Sequence, residues 1–294
     1  MKKNLWLLLM SLLPLLASAE TVKMNGIWYR LSDAKAEVIK CPETITGAVK
    51  IPKSVTYKGT KYKVTSIGNS AFQECLELTS VSIPGSVKSI GDFAFCYCES
   101  LTSITIPKSV TTIGKSAFDS SGLTSVVIPK NVKSVGDFAF SDCKNLTSVT
   151  IPLSMTSIGN AVFRNCIRLE SVSIPRSITH IGNYAFRGCS SLHTITIPEG
   201  VTHIGKAAFC LCNFMQSITI PNSVTSLGEE VFSDCYSLKD VYCYAATPPE
   251  TQRIMYLGDN HSSVTLHVPA ASIEAYKAHK SWGRGEFENI VAIE

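Results

Sequence analysis

Residues 146–168 have the sequence LTSVTIPLSMTSIGNAVFRNCIR, and closely similar units of the same length precede and follow them. The dipeptide Ile-Pro recurs along the chain at spacings of 23, 22, 23, 23, 23 and 23 residues. Its isoleucines are Ile83, Ile106, Ile128, Ile151, Ile174, Ile197 and Ile220. A short unit repeated at a fixed period cannot bury its own hydrophobic face, so successive units must stack on one another. The period therefore predicts a solenoid.

Four further columns of residues keep the same period. An apolar-Gly pair such as Ile158-Gly159 follows each Ile-Pro isoleucine by seven residues. C-terminal to this pair, each unit has a phenylalanine, then a cysteine and then a leucine. Ser121 is the one exception in the cysteine column, and Met215 replaces one leucine. The phenylalanines are Phe72, Phe95, Phe118, Phe140, Phe163, Phe186, Phe209 and Phe232. Eight phenylalanines predict about eight coils.

The pattern Leu-x-x-Val-x-Ile-Pro predicts a strand with one buried face, because its apolar residues alternate as they do at Val149 and Ile151. Proline lacks an N–H group and should end each strand. The second apolar pair, for example Val110 and Ile113, should form the opposite wall, and the glycine that follows should form the corner. The predicted fold is a β-rich solenoid, a right-handed stack of about eight 23-residue coils.

The chain divides by pattern into a signal peptide at 1–19, an N-terminal β cap at 20–66, the repeat solenoid at 67–243 and a C-terminal cap at 244–294. Caps are expected because a terminal coil would otherwise expose the core and an open strand edge.

Both caps have predicted elements of their own. In the N-terminal cap we expect strands at 27–31, 38–41 and 49–51 and a hairpin at 55–62 with its turn at Gly59. In the C-terminal cap we expect a strand at 264–268 and a short helix at about 270–280. Three side chains should close the core there, namely Trp282, Phe287 and Ile290.

The first nineteen residues have the features of a signal peptide: Lys2 and Lys3, an apolar run over 5–16, and small residues before Glu20. No later run of apolar residues is long enough to span a bilayer. We therefore expect export without a transmembrane segment in the mature chain, to the cell surface or the medium, with the periplasm as an alternative. Because no cysteine follows the cleavage site, a lipid anchor is not expected.

Charge and composition exclude simple nucleic-acid binding. The net charge is only +4, charged residues make up 17% of the chain, and no basic block occurs after the leader. The chain has 36 Ser and 24 Thr residues, which predicts a surface solvated by hydroxyl groups.

The combination of Ile-Pro, Ile-Gly, Ala-Phe, Cys and Leu-Thr-Ser-Val resembles the BspA-like leucine-rich repeat family of bacterial surface proteins. The resemblance covers residues 51–243, and the tail over 264–294 is similar to the ending of many members. It implies a leucine-rich-repeat-like solenoid used for attachment to host matrix proteins, epithelial surfaces or other bacteria. It implies no catalytic motif, and the long C-terminal sorting domain of some relatives is absent from this sequence.

The outward-facing strand positions are the candidate ligand-binding residues. A regular, neutral, extended face suits a long protein or glycan partner, although the same hydroxyl ladder favours strand pairing in any case. The aromatic residues Phe93, Phe138 and Tyr184 are a rival surface, and packing at the coil corners would explain them equally well. The candidate residues are Ser82, Thr105, Val127, Thr150, Ser173, Thr196 and Thr219.

The cysteines and histidines permit chemical interpretations as well as structural ones. Because seven of the eleven cysteines share one repeat position, we interpret them as small buried side chains. The pairs Cys96–Cys98 and Cys210–Cys212 lie five coils apart, too far to share one zinc ion. His180 and His203 occupy equivalent positions in successive coils and should stack roughly 5 Å apart. They could bridge a metal or a proton, or could simply be solvated.

The sequence contains no recognisable catalytic motif, and we expect no enzyme activity, no cofactor and no metal. The predicted function is an exported binding protein, acting as an adhesin for an extracellular protein or glycan. The first alternative is a periplasmic or envelope scaffold for bacterial proteins or glycans. The second is a hydrolase that uses Asp259, His261 and His267 in the irregular C-terminal segment.

Overall fold

The computed structural model describes residues 19–252, 254, 264–283 and 287–293. Over these residues the chain is a β-solenoid of about nine turns of about 23 residues, with one short helix near the C-terminus. The predicted solenoid is thus confirmed. The predicted signal peptide lies outside the described residues except for Ala19.

The N-terminal cap combines an antiparallel meander with a hairpin. Strands β1 (Glu20–Met24), β2 (Ile27–Ser32) and β3 (Lys35–Lys40) pair antiparallel in that order. Strands β5 (Ser54–Tyr57) and β6 (Thr60–Ile67) form the predicted hairpin. Gly59 lies at its turn with φ of 79°, as expected for a left-handed position. The sequence pattern did not predict β1, because Val22 is its only buried residue.

A first parallel ladder, called ladder A, contains the Leu-x-x-Val-x-Ile-Pro strands. In each central strand the outer residues are exposed and the middle residue is buried, which confirms the predicted alternation. Ladder A comprises β4 (Gly47–Lys50), β7 (Leu78–Ser82), β9 (Ser103–Thr105), β11 (Ser125–Val127), β13 (Ser148–Thr150), β15 (Ser171–Ser173), β17 (Thr194–Thr196), β19 (Ser217–Ile220), β21 (Asp240–Cys243), β22 (Thr265–Val268) and β23 (Asn289–Ala292).

A second parallel ladder, called ladder B, lies on the opposite wall and contains the apolar-Gly positions. Its short strands continue the sheet that begins with β3 and β6. They are β8 (Ser89–Ile90), β10 (Thr112–Ile113), β12 (Ser134–Val135), β14 (Ser157–Ile158), β16 (His180–Ile181), β18 (His203–Ile204) and β20 (Ser226–Leu227).

Both ladders are interrupted once along the described stack. Among the described strands, β9 and β11 are not paired in ladder A, and β12 and β14 are not paired in ladder B. The gap in ladder A coincides with the 22-residue coil, which has one residue fewer between Phe118 and Leu123 than the other coils. There the N–H of Gly122 donates to the carbonyl of Cys98 at 3.1 Å. On the N-terminal side of the gap Ile104 is only half-buried, whereas the equivalent valines of the next two coils, Val126 and Val149, are buried.

A third set of backbone hydrogen bonds joins the coils at the turn around each core phenylalanine, for example residues 138–142 around Phe140, which we call the phenylalanine corner. The N–H groups of Phe138, Phe140 and Asp142 donate to carbonyls of the next coil at 2.9, 3.0 and 2.7 Å. Phe138 and Asp142 have φ of 60° and 54°, and equivalent residues in other coils are also left-handed. These left-handed residues turn alternate N–H groups toward the next coil.

The glycine column lies at the predicted corner, directly after each ladder B strand and before the turn that follows. None of its members has a positive φ, so a left-handed backbone is not the reason for glycine here. A Cβ atom added at Gly182 would lie 2.6 Å from the carbonyl carbon of Gly159 in the preceding coil. The glycines are needed because adjacent coils approach closely here.

The core is a continuous column of phenylalanine rings. Their centroids lie 5.0 to 6.1 Å apart in successive coils, and their planes differ by at most 17°. Parallel rings at this separation are offset-stacked, a favourable arrangement for aromatic pairs. All eight phenylalanines are buried. The predicted buried column is therefore confirmed.

The C-terminal end is closed by aromatic side chains, as predicted. Strand β22 is followed by a 3-10 turn (Ala270–Ser272) and helix α1 (Ile273–Ala278), which is shorter than expected. Trp282 is buried and its Nε1 donates to the carbonyl of Pro249 at 2.9 Å. Phe287 is also buried, and Ile290 packs against the core while remaining half-exposed.

Candidate binding surfaces

The seven candidate residues form one exposed column on ladder A. Ser82 pairs with Thr105, and a second run in strict register begins at Val127. That run continues through Thr150, Ser173, Thr196 and Thr219. A parallel column of serine and threonine runs beside it through Ser148, Ser171 and Thr194. The structure therefore places the candidates on one surface, which we call the strand face.

The gap in ladder A contains an open cleft on the strand face, of about 580 Å³. Of the seven candidates, Thr105, Val127 and Thr150 line it, whereas the other four lie along the face outside it. The apolar lining includes Val127 and Leu153, whose side chains are 65% and 64% exposed.

Lys108 and Lys130 also line the cleft, and both are exposed. The cleft thus offers apolar contact beside two ammonium groups. The sequence pattern did not predict this cleft, although the shortened coil and the single valine among hydroxyl residues lie at its position.

The strand face ends in a polar aromatic cluster near the C-terminus. The ring of Tyr242, which continues the candidate column, stacks on His267 with centroids 4.3 Å apart. His267 Nε2 lies 2.8 Å from Asp240 Oδ1. His267 is thus engaged by ladder A neighbours, and the other two residues of the suggested hydrolase site, Asp259 and His261, lie outside the described residues.

The histidine pair on ladder B stacks as predicted. The rings of His180 and His203 are 4.8 Å apart and differ by 9° in plane. Each Nδ1 lies 2.8 Å from the hydroxyl of the preceding threonine, Thr179 or Thr202. Both rings are exposed, so the pair is a surface stack whose neighbours are hydroxyl groups.

The cysteine column is structural, as predicted, and its thiols have an additional role. Cys189 Sγ donates to the carbonyl of Phe163 in the preceding coil at 3.1 Å, and the same bond recurs in other coils. Burial raises the pKa of Cys189 to about 12, so the thiol is protonated at neutral pH. Ser121 keeps a polar contact, with its Oγ 3.3 Å from Cys143 Sγ.

The described residues contain neither a metal-binding cluster nor a membrane-spanning helix. Within the described ranges, no three His, Cys, Asp or Glu side chains are grouped to hold a metal ion. The described helix is too short to cross a bilayer, and no other helix in that part of the chain qualifies.

Stacked coils with a strand, a leucine column and an Ile-Pro turn define a leucine-rich repeat protein, a class whose fold typically serves protein binding. Six copies of the BspA type leucine rich repeat region match residues 65–179 and 156–254. The chain belongs to this family.

Solved structures extend the similarity over nearly the whole chain. A leucine-rich repeat protein from Bacteroides ovatus is 24% identical with a TM-score of 0.60, covering 92% of this chain and 90% of that one. A leucine rich cell surface protein from Faecalibacterium prausnitzii is 26% identical with a TM-score of 0.53, covering 94% and 96%. No curated protein sequence matches the chain.

Proposed function

We propose that the protein is exported and acts as an adhesin that binds an extracellular protein through the strand face. The observation that carries this proposal is the cleft at the gap in ladder A, where Val127 and Leu153 stand exposed within a field of hydroxyl groups. Family membership and similarity to a protein described as a leucine rich cell surface protein support a location at the cell surface. The signal-peptide pattern at 1–19 supports export.

The cleft suits a partner that inserts an apolar side chain flanked by carboxylates. Burying an exposed valine or leucine side chain contributes about 1.5 to 3 kcal/mol, and anchors of this kind dominate binding energy at protein interfaces. Lys108 and Lys130 would pair with acidic groups at the rim and increase the association rate. The neutral columns beyond the cleft would extend the contact with hydrogen bonds from serine and threonine.

Binding of residues 20–294 to immobilised fibronectin, fibrinogen, laminin and mucin at physiological salt tests the proposal. We expect saturable binding to one of them, weakened at least about tenfold by Val127→Ser combined with Leu153→Ser. Replacing Thr150 or Ser173 with a bulky charged residue should also weaken this binding. The control is Ile167→Ser, since Ile167 is 42% exposed and does not line the cleft. A strand-face site is contradicted if only the control loses binding, or if every variant binds as tightly as the wild type.

The alternative is a periplasmic or envelope scaffold that binds bacterial proteins or glycans. Protease treatment of intact cells distinguishes the two. Digestion of the protein on whole cells supports the adhesin, whereas protection until the outer membrane is opened supports the scaffold.

A further inference from the structure

A row of aromatic side chains lies on the phenylalanine corner, away from the strand face. It occupies the first left-handed position of successive corners, where small and large aromatic residues alternate from Ser70 to Ala207 and Glu230 ends the alternation. Successive members of the row are Phe93, Ser116, Phe138, Ala161, Tyr184 and Ala207. Phe93 is 37% exposed, and Phe138 and Tyr184 are half-buried, whereas the three small residues are buried. The row thus consists of aromatic rings separated by notches.

The rings border two adjoining clefts that follow one another along the row, which together we call the groove. One cleft of about 510 Å³ is lined by Phe93 and Phe138, and a second of about 550 Å³ is lined by Phe138 and Tyr184. Both are also lined by Arg164, so the two clefts are neighbours that share Phe138 and Arg164. The groove spans the coils from Phe93 to beyond Tyr184, a length suited to a linear ligand.

The groove is polar between its rings. Arg164 is a planar donor that both clefts share, and Lys115 Nζ lies 6.0 Å from the Phe138 ring centroid. Asp119 and Asp142 supply carboxylate acceptors beside the same ring. Charged donors and acceptors therefore lie beside the aromatic rings of the groove.

We propose that this groove binds an extended β-1,4-linked glycan chain. The buried phenylalanines two residues after this row lie 5.3 to 5.8 Å apart in successive coils from Phe95 to Phe186, so rings on every second coil recur at roughly 11 Å. In an extended β-1,4-linked chain each sugar is turned over relative to its neighbours. The same ring face therefore returns with every second sugar, at a similar distance. The C–H groups of a pyranose face suit the electron-rich face of an aromatic ring.

The hydroxyl groups of such a chain also match the polar side chains of the groove. A sugar hydroxyl donates one hydrogen bond and can also accept, so hydroxyls of the chain can donate to the carboxylates of Asp119 and Asp142 and accept from the guanidinium of Arg164. An extended peptide repeats its side chains on one face at about 6.7 Å, which is out of step with the rings. A polyproline helix repeats at about 9.3 Å, but its prolines have no N–H group to offer the two carboxylates. The glycan is thus favoured over the peptide.

Calorimetric titration of residues 20–294 with cello- and chito-oligosaccharides of two to six sugars tests the proposal. Affinity should increase in steps of two sugars, as each further ring is covered. Phe138→Ala and Tyr184→Ala should each weaken binding of the hexasaccharide by roughly tenfold, the loss of one aromatic stacking contact. Because both side chains are partly solvent-exposed, the melting temperature of each variant should stay close to that of the wild type.

Three controls make the result specific to the groove. Phe214→Ala removes an aromatic side chain that is 55% exposed and lines neither cleft, and should leave binding unchanged. Phe138→Ser with Ser116→Phe moves one ring by one coil and should weaken binding although the number of rings is unchanged. The strand-face double variant Val127→Ser with Leu153→Ser should retain glycan binding, so this site and the proposed adhesin site can fail independently.

The proposal is overturned if neither hexasaccharide binds to the folded protein, or if binding survives Phe138→Ala and Tyr184→Ala. It is also overturned if α-1,4-linked malto-oligosaccharides bind equally well, because their curved chains do not repeat in step with the rings. A polyproline peptide that binds in place of the sugars, with loss in the same two variants, would assign the groove to a peptide instead.

Discussion

Replacing Phe163 by alanine should destabilise the solenoid more than any surface change, because its ring lies in the middle of the phenylalanine column. The side chain is 1% exposed and stacks on Phe140 and Phe186 at 5.8 and 5.5 Å. Truncating a buried phenylalanine costs about 3 to 5 kcal/mol, from lost transfer energy and the cavity that remains. For a chain of this size, that loss should lower the melting temperature by roughly 6 to 20 °C.

Urea unfolding followed by far-ultraviolet circular dichroism measures the free energy of unfolding of Phe163→Ala and the wild type. The matched control is Phe214→Ala, whose exposed ring stacks only on His193, at 5.5 Å, among the ring contacts of the described residues. The control should lose less than about 1 kcal/mol. If Phe163→Ala lost no more than the control, the ring would not fill a continuous core, and the stacking argument would be refuted.

Three further predictions concern the glycine column, the thiols and a half-buried carboxylate. Gly182→Ala should lower the free energy of unfolding by about 1 to 3 kcal/mol, because the added Cβ would press on the backbone of Gly159. Gly85→Ala is the control and should be tolerated, since Gly85 has open space around it. Equal melting temperatures for the two variants would contradict close stacking of the coils. The thiol of Cys189, with its pKa raised to about 12 by burial, should react with a disulfide reagent at pH 8 only after unfolding, and fast labelling of the native protein would count against burial. Burial raises the pKa of the Asp119 carboxyl, so wild-type stability should fall as pH rises from the unfolded to the folded pKa. Asp119→Asn should therefore melt at a higher temperature than the wild type at pH 7 and show no advantage in acid. If the difference in melting temperature between the two proteins were the same across this pH range, the interpretation would be refuted.

The repeat period made most of the fold predictable. Alternation around Val149 placed the strands of ladder A with the correct face buried, and the shared position of the cysteines identified them as core residues. The stacking of His180 on His203 followed from register alone. Each of these results needs only the rule that equivalent residues in successive coils are neighbours.

Other features depend on how closely coils approach, which the pattern does not contain. The glycine column lies at the corner where it was expected, but the pattern did not show that the left-handed residues there are others, such as Phe138 and Asp142. Left-handed backbone is uncommon for large side chains, so the local sequence favours another conformation. Hydrogen bonds to the next coil, like that from Phe138 to Asn160, outweigh this preference.

The candidate site was predicted in part. Sequence alternation identified the exposed residues of the strand face, because a side chain's face in a strand follows from its position. It did not identify the cleft around Val127 and Leu153, which forms where ladder A is interrupted. Nor did it join Phe93, Phe138 and Tyr184 into one groove, since that requires the three-dimensional spacing of alternate coils.

The amino-acid sequence by itself determined the repeat, the stack, the buried columns and the exposed face of this protein, because each depends only on the period and on which residues avoid water. The tertiary structure alone decided where the ladders break, where the clefts open and which rings share a groove. These features depend on distances between coils, and a repeat pattern specifies the order of its residues but not those distances.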